Sequence, residues 1–285
     1  MSAQSTPEQV LPASPSPTPP MLPVSAYIVC KDEAETIEAC LRSVGFASQI
    51  VVVDSGSTDG TLEIVRRLAD EGLPIELHER EWPGYAAQKQ WALNRCTAEW
   101  CFNIDGDEAC EPGFGERLAP ILARTQAAGL KVLGRFEIYG YGPPPPGTAL
   151  YWLRRLSRRG AARFDLTTRV HEHLVIDGAV EGCSDLVIRH YRPDPLEPLL
   201  GKQIRYGVLK AEQHHAAGRR GSILKLIANP PYVFLRHYIG RRYFKTGVHG
   251  LIAAGTFAIY AFVTEARLFE LRHELRSRSE TNDAD

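Results

Sequence analysis

Four short strand-like runs punctuate residues 24–104, and the stretches between them have helical spacing; this alternation constrains the fold more than any other feature of the chain. Val24–Cys30 (VSAYIVC) and Ile50–Asp54 (IVVVD) are short apolar runs that read as buried strands, and Ile75–His78 and Trp100–Ile104 (WCFNI) read as a third and a fourth strand. Between them, Glu33–Ser43 brings Ile37, Cys40, Leu41 and Val44 onto one face, and Thr58–Ala69 does the same with Leu62, Ile64, Val65 and Leu68; Tyr85–Arg95 is a third helix. Strands alternating with helices through short loops predict an α/β fold: a mostly parallel sheet with helices on both faces.

The rhythm changes after a further helix at Gly113–Thr125. Lys131–Tyr139 and Tyr151–Ser157 read as strands, separated by a loop at 140–147 in which four successive prolines exclude a regular element. Val170–Ile176 and Leu186–Tyr191 are shorter strand candidates, and from about Pro195 the pattern turns helical. The expected organisation is a Pro- and Ser-rich tail at 1–23, lacking the basic start and apolar core of a signal peptide, a catalytic-sized α/β domain at 24–192, and a helical extension at 193–285. The six cysteines have no CxxC spacing and read as core residues of a protein in a reducing cytoplasm.

A net charge of -1 conceals an asymmetry. Residues 1–150 carry 11 Lys and Arg against 20 Asp and Glu, whereas residues 151–245 carry 18 against 8, interleaved with aromatics. Gly250–Val263 (GLIAAGTFAIYAFV) is almost wholly apolar but shorter than the roughly 20 residues a spanning helix needs, and Arg236, Arg241, Arg242 and Lys245 precede it. That combination predicts attachment to an anionic membrane face, with a buried core helix as the alternative. The basic half carries no nucleic-acid-binding motif, and no nucleic-acid partner is expected.

In open parallel sheets ligands bind beyond the carboxyl ends of the strands. Three strand ends here carry carboxylates: Lys31-Asp32-Glu33, Asp54 with Ser55-Gly56-Ser57-Thr58-Asp59-Gly60, and Asp105-Gly106-Asp107-Glu108. Asp-x-Asp suits Mg²⁺ or Mn²⁺, which take oxygen ligands and leave positions for substrate phosphates. Such a metal would bridge a diphosphate and stabilise the leaving group, while Asp54 would accept from a base N–H or a ribose. Each motif alone has a plainer reading: Asp54 as a cap for the helix that follows, and Asp59 and Glu33 as first-turn acids.

Ile50–Thr61 (IVVVDSGSTDGT) and Trp100–Glu108 (WCFNIDGDE) together resemble the two signature segments of family 2 glycosyltransferases of the GT-A, Rossmann-type fold. Between them stand Gly84 and Gln88-Lys89-Gln90, where that family has a glycine and a basic-Asn pair; Lys89 keeps the basic position and Gln90 replaces the Asn. The likeness is closer to a bacterial subgroup that includes lipopolysaccharide core glucosyltransferases, through Lys31-Asp32-Glu33, Asp54–Asp59, Asp105–Glu108, Val170-His171-Glu172 and His190-Tyr191. The resemblance implies that Asp54 contacts the nucleoside, Asp105 the ribose or metal, and Asp107 the metal. Glu33 and Lys89 join the donor site, and His190 is a further candidate metal ligand. It also implies direct displacement with inversion, UDP-glucose as donor, and a lipopolysaccharide-core or other lipid-linked or polysaccharide acceptor at the inner face of the cell membrane.

Direct displacement needs a base for the acceptor hydroxyl, and Glu172 is the candidate, with Asp165 in reserve. His171 either completes the metal site or orients Glu172, and Glu172 has an ion pair with Arg169 as its plainer reading. The clusters Arg154-Arg155 and Arg158-Arg159 suit an acidic acceptor or the donor diphosphate, and Trp82, Trp91 and Trp152 are candidates for stacking on sugars. Two rival functions fit less well. A sugar nucleotidyltransferase would want a Gly-rich basic loop where Lys31-Asp32-Glu33-Ala34-Glu35 stands, and a non-catalytic membrane adaptor would not need an intact Asp-x-Asp or Glu172.

Overall fold

The protein is described by a computed structural model covering residues 21–166, 174–191 and 195–282. Strand β1 (Leu22–Cys30) is followed by α1 (Ile37–Ser43), β2 (Ala47–Asp54), α2 (Thr61–Asp70), β3 (Ile75–Glu79), α3 (Tyr85–Leu93) and β4 (Trp100–Asn103). The four strands lie in the order β3–β2–β1–β4, all parallel. Helix α1 starts at Ile37 rather than Glu33, because the Glu33 carbonyl first accepts from the Thr36 and Ile37 amides in a turn. Residues 1–20 of the expected tail lie outside the described residues, and Leu22 within it already belongs to β1.

The chain continues through β5 (Glu108–Cys110), α4 (Phe114–Arg124), β6 (Gly129–Phe136), β7 (Leu150–Arg158), β8 (Ala162–Phe164), β9 (Leu174–Ile176) and β10 (Val180–His190). The sheet is completed in the order β4–β7–β6–β10–β5. Here the parallel rule fails: β7 runs antiparallel to both β4 and β6, and β5 antiparallel to β10, while β6 and β10 are parallel. Strands β8 and β9 pair separately. Of the strand expected at Val170–Ile176, residues 174–176 form β9 and the rest lie outside the described residues.

Strands covered on both faces explain the unbroken apolar runs. Ile28, Val52 and Phe102 pack with Leu41, Leu68, Phe114 and Leu118 from α1, α2 and α4 on one face. Tyr27, Val51, Val53 and Cys101 pack with Ala92 and Leu93 of α3, and with Phe164 and Leu174, on the other. Each such aliphatic side chain, fully removed from water, contributes roughly 1.5–3 kcal/mol before entropy is counted. All six cysteines are buried free thiols.

Beyond the sheet lie α5 (Leu196–Ala216), α6 (Ile223–Leu235), a π-helical turn at Arg236–Gly240, a 3-10 turn at Tyr243–Thr246 and α7 (Gly247–Asn282). The apolar segment at 250–263 is therefore part of the first half of one long helix. Residues Tyr243–Arg272 are long and apolar enough, by length and composition, to cross a membrane. Tyr243 ties this region to the sheet, its hydroxyl 2.8 Å from that of Tyr151 on β7.

Candidate active site

The chain leaves β1 toward β2 on one side, and β4 lies on the other, so a crevice opens between β1 and β4 at their carboxyl ends. A cavity of about 1040 Å³ occupies this position. Lys31 and Glu33 line it from the end of β1, Lys89 from α3, Asn103, Asp105 and Asp107 from the end of β4, and His190 from the end of β10. Gly106 keeps this approach close: a Cβ there would lie 3.2 Å from Glu33 Cγ and 3.3 Å from Cys30 Cβ, so a larger residue would make the two strand ends give by a few tenths of an ångström.

Asp105 is held by two cations. Lys89 Nζ lies 2.8 Å from Oδ1, and Arg155 Nη2 lies 3.0 Å from Oδ2. Burial alone would raise its pKa, but the charges of Lys89 and Arg155 outweigh burial and keep the carboxyl well below the ordinary value. Arg155 also donates to Glu108 at 2.5 and 2.6 Å and to Asn103 Oδ1 at 2.9 Å, so one buried guanidinium collects three residues from the end of β4 and the start of β5. Burial pushes the Glu108 carboxyl up to about 7 against the pull of Arg155, with the Asp105 charge adding to the rise. Asn103 is itself buried, and its Nδ2 has no hydrogen-bond partner among the described residues.

Asp107 is also partly exposed, its side chain 25% open to solvent against 32% for Asp105, and its Oδ2 stands 3.0 Å from His190 Nε2. The short β5 makes this meeting possible: its antiparallel pairing sets Glu108 opposite His190, and the Tyr191 amide donates to the Asp107 carbonyl. Burial works to lower the His190 pKa, but the hydrogen bond and charge of Asp107 reverse this and raise it.

Asp54, expected at the nucleoside, is not among the residues brought to this cavity. It is fully buried. Its Oδ1 accepts from the Gly56 and Ser57 amides at 2.8 Å, and its Oδ2 from the Ser57 hydroxyl, so the loop's own donors engage both oxygens and the carboxylate shapes the turn. Gly56, at φ +89, lets the chain fold back onto it. Asp32 and Asp59 knit the neighbouring loops together, Asp32 accepting from the Thr58 amide and Asp59 from the Ala34 amide.

Glu172 and His171, with Arg169, lie outside the described residues; Leu174, two positions after Glu172, lines the cavity. Asp165 is not among the lining residues, although Phe164 beside it is. Lys89 reaches the cavity from α3, whereas Gln90 faces away and accepts from the Phe164 amide at 2.8 Å. The arginine clusters divide. Arg154 lines the cavity and is exposed, Arg155 is buried among the carboxylates, and Arg158 pairs with Glu99 away from the cavity. Trp152 and Trp82 line the cavity with exposed rings, whereas Trp91 is packed against His78 beneath Arg95. Lys202 and Tyr206 of α5 complete the wall. The sequence reading missed Asn103, Glu108, Lys202 and Tyr206; of these, Asn103 and Glu108 stood within a quoted motif without being given a role.

The family model for Glycosyl transferase family 2 matches residues 25–174. The chain belongs to this family. The glycosyltransferase is 40% identical over 266 residues to the lipopolysaccharide core biosynthesis glycosyltransferase LpsC of Rhizobium meliloti, covering 93% of this chain and 98% of that one. It is 27% identical over 274 residues to an uncharacterized glycosyltransferase of Rickettsia bellii, covering 91% and 90%. Among solved structures, the mannosyltransferase PcManGT of Pyrobaculum calidifontis, in complex with GDP-Man and Mn²⁺, superposes with a TM-score of 0.52 at 18% identity, over 89% of this chain and 91% of that one. That likeness establishes the shared GT-A-like architecture.

Proposed function

We propose that this glycosyltransferase moves a hexose, glucose from UDP-glucose, onto a saccharide of the lipopolysaccharide core or another lipid-linked or polysaccharide acceptor, with inversion at the anomeric carbon. The observation that carries the reading is the pair of aspartates at the end of β4. Asp105 is fixed by Lys89 and Arg155, and Asp107 stands at the cavity edge against His190. The Rhizobium relative, named for lipopolysaccharide core biosynthesis and matched almost end to end, supports the acceptor class.

The residues present fit a hard divalent cation, Mg²⁺ or Mn²⁺. Asp107 offers a partly exposed carboxylate, and His190 an imidazole beside it. Among the described residues no group of three His, Cys, Asp or Glu is arranged to hold a metal ion, so substrate phosphates and water would have to supply the remaining positions. When bound there, the cation would neutralise charge developing on the departing diphosphate. Asp105, oriented by two cations, is placed to accept from a ribose hydroxyl, and the unpartnered Nδ2 of Asn103 is a donor for the bound donor substrate. Glu172 takes the proton of the acceptor hydroxyl as its oxygen bonds to the anomeric carbon and the bond to the diphosphate breaks.

A thermal-shift screen of sugar nucleotides with and without Mn²⁺ tests this reading. UDP-glucose is expected to raise Tm only with the metal, and Asp107→Ala to abolish that dependence. Glu172→Gln is expected to keep donor binding but to lose transfer roughly 10²–10⁴-fold. Transfer by Glu172→Gln at the parent rate would assign the base elsewhere, and stabilisation by GDP-mannose alone would overturn the donor.

A further inference from the structure

The α6–α7 hairpin carries a surface that the transferase site does not use. From 213 to 264 the chain has no Asp or Glu and seven Lys and Arg, among them Arg219, Lys225, Arg236 and Lys245. On α6 no residue is buried, and Ile223, Leu224 and Ile227 are 67%, 76% and 69% exposed. Leu235 and Ile239 extend this apolar face toward the π-helical turn. On α7, Val248, Leu251, Ile252, Ile259 and Phe262 recur at helical spacing and are likewise exposed. An apolar face of this extent, framed by cations and free of carboxylates, matches one surface chemistry: an anionic lipid interface, with aliphatic side chains among the acyl chains and Lys and Arg at the headgroups.

We infer that α6 and α7 embed together in one leaflet of an anionic membrane, as a monotopic anchor, and that α7 does not cross it. Helix α7 has the length to span, but it is not free to do so. Helix α5 lies against it so closely that a Cβ on Gly207 would stand 2.9 Å from Val263 Cγ1. Helix α5 carries Lys202, Arg205, Lys210 and Glu212, and α7 itself holds a buried Glu265, whose carboxylate lies 3.4 Å from the Ser222 amide. A crossing α7 would draw those charges into hydrocarbon. Its start is also tied to the catalytic domain, where the Ala149 amide donates to the Arg241 carbonyl at 3.0 Å and Tyr243 meets Tyr151. The anchor thus holds the cavity, which α5 helps to line through Lys202 and Tyr206, beside the lipid surface; that this serves a lipid-borne acceptor rests on the proposed transferase reading.

The test is co-sedimentation of the full chain with vesicles of phosphatidylcholine alone or mixed in equal parts with phosphatidylglycerol. Tight binding is expected only to the anionic vesicles. The double variant Ile227→Glu, Leu235→Glu, at two exposed positions, is expected to weaken it by about ten-fold or more. The same variant should keep the metal-dependent thermal shift with UDP-glucose, so loss of lipid binding and failure of the donor reading are separately visible. With cysteines introduced at Lys245 and Arg272, an impermeant thiol reagent is expected to label both from one side of sealed membranes. Equal binding to both vesicle types, unchanged binding by the double variant, or labelling from opposite sides would overturn the inference. So would a dimer in lipid-free solution that the double variant dissociates, because the face would then be a subunit interface.

Discussion

Strands β2 and β4 are parallel members of one sheet, and each runs into a loop rich in aspartate, yet the two loops use their carboxylates in opposite ways. After β2, Asp54 is sealed from solvent and its oxygens are filled by amides and a hydroxyl two and three residues further on. After β4, Asp105 and Asp107 point to groups brought from distant parts of the chain: Lys89, Arg155 and His190. A carboxylate satisfied by its own loop is committed to shape. One held by mobile-proton or cationic side chains at a cavity edge can exchange those partners for a ligand. Two similar sequence motifs are therefore separated by the reach of their partners, a property no local pattern records.

The contrast breaks most visibly at Asp107. Asp107→Ala is expected to lower kcat/KM by roughly 10³-fold while leaving the Tm of the metal-free protein nearly unchanged; parent-like turnover would put the two loops on an equal footing. Arg155→Met should be next, because it strands Glu108 and leaves Asp105 with one cation instead of two. A loss of about 3–5 kcal/mol in urea unfolding is expected, the usual consequence of removing one partner from a buried ion pair. Asp54→Asn sharpens the comparison from the other side. It keeps an acceptor for the Gly56 and Ser57 amides but loses the charge, and is expected to cost about 1–3 kcal/mol of stability with the metal dependence of the folded protein intact.

Much of the α/β half was legible, because strands covered on both faces must be apolar throughout and their helices must alternate. The site was legible only in part. Asp107 and His190 stood in quoted motifs, but the strand that aligns them, Glu108–Cys110, is three residues long and has no periodicity to detect. Arg155 was visible only as one member of a basic pair; alternation along β7 sends it inward to the carboxylates and leaves Arg154 exposed at the cavity. The turn that Asp54 organises was not legible because two of its partners are backbone amides, which every sequence has. The apolar run at 250–263 understated its helix, because α7 continues through residues too polar to join a hydropathy segment.

The smallest effect belongs to the exposed ring of Glu38, Arg42, Arg67 and Glu71 that joins α1 to α2, remote from both loops. Hydrogen bonds from Arg42 and Arg67 hold Glu38 and Glu71 below their ordinary 4.5. A depressed folded pKa gives stability that is present above about pH 4.5 and is lost as pH falls through the folded value. The Tm of Arg67→Gln should therefore lie slightly below the parent at neutral pH, converge with it in acid, and match it in high salt.

The central claim, that the β4 aspartates hold a divalent cation against the phosphates of a nucleotide, is tested most directly by electron paramagnetic resonance of Mn²⁺ titrated with the protein in the presence of UDP. The account predicts that the free Mn²⁺ signal disappears with the parent protein and with Asp54→Asn, but persists with Asp107→Ala. Equal loss of the signal with Asp107→Ala would contradict it.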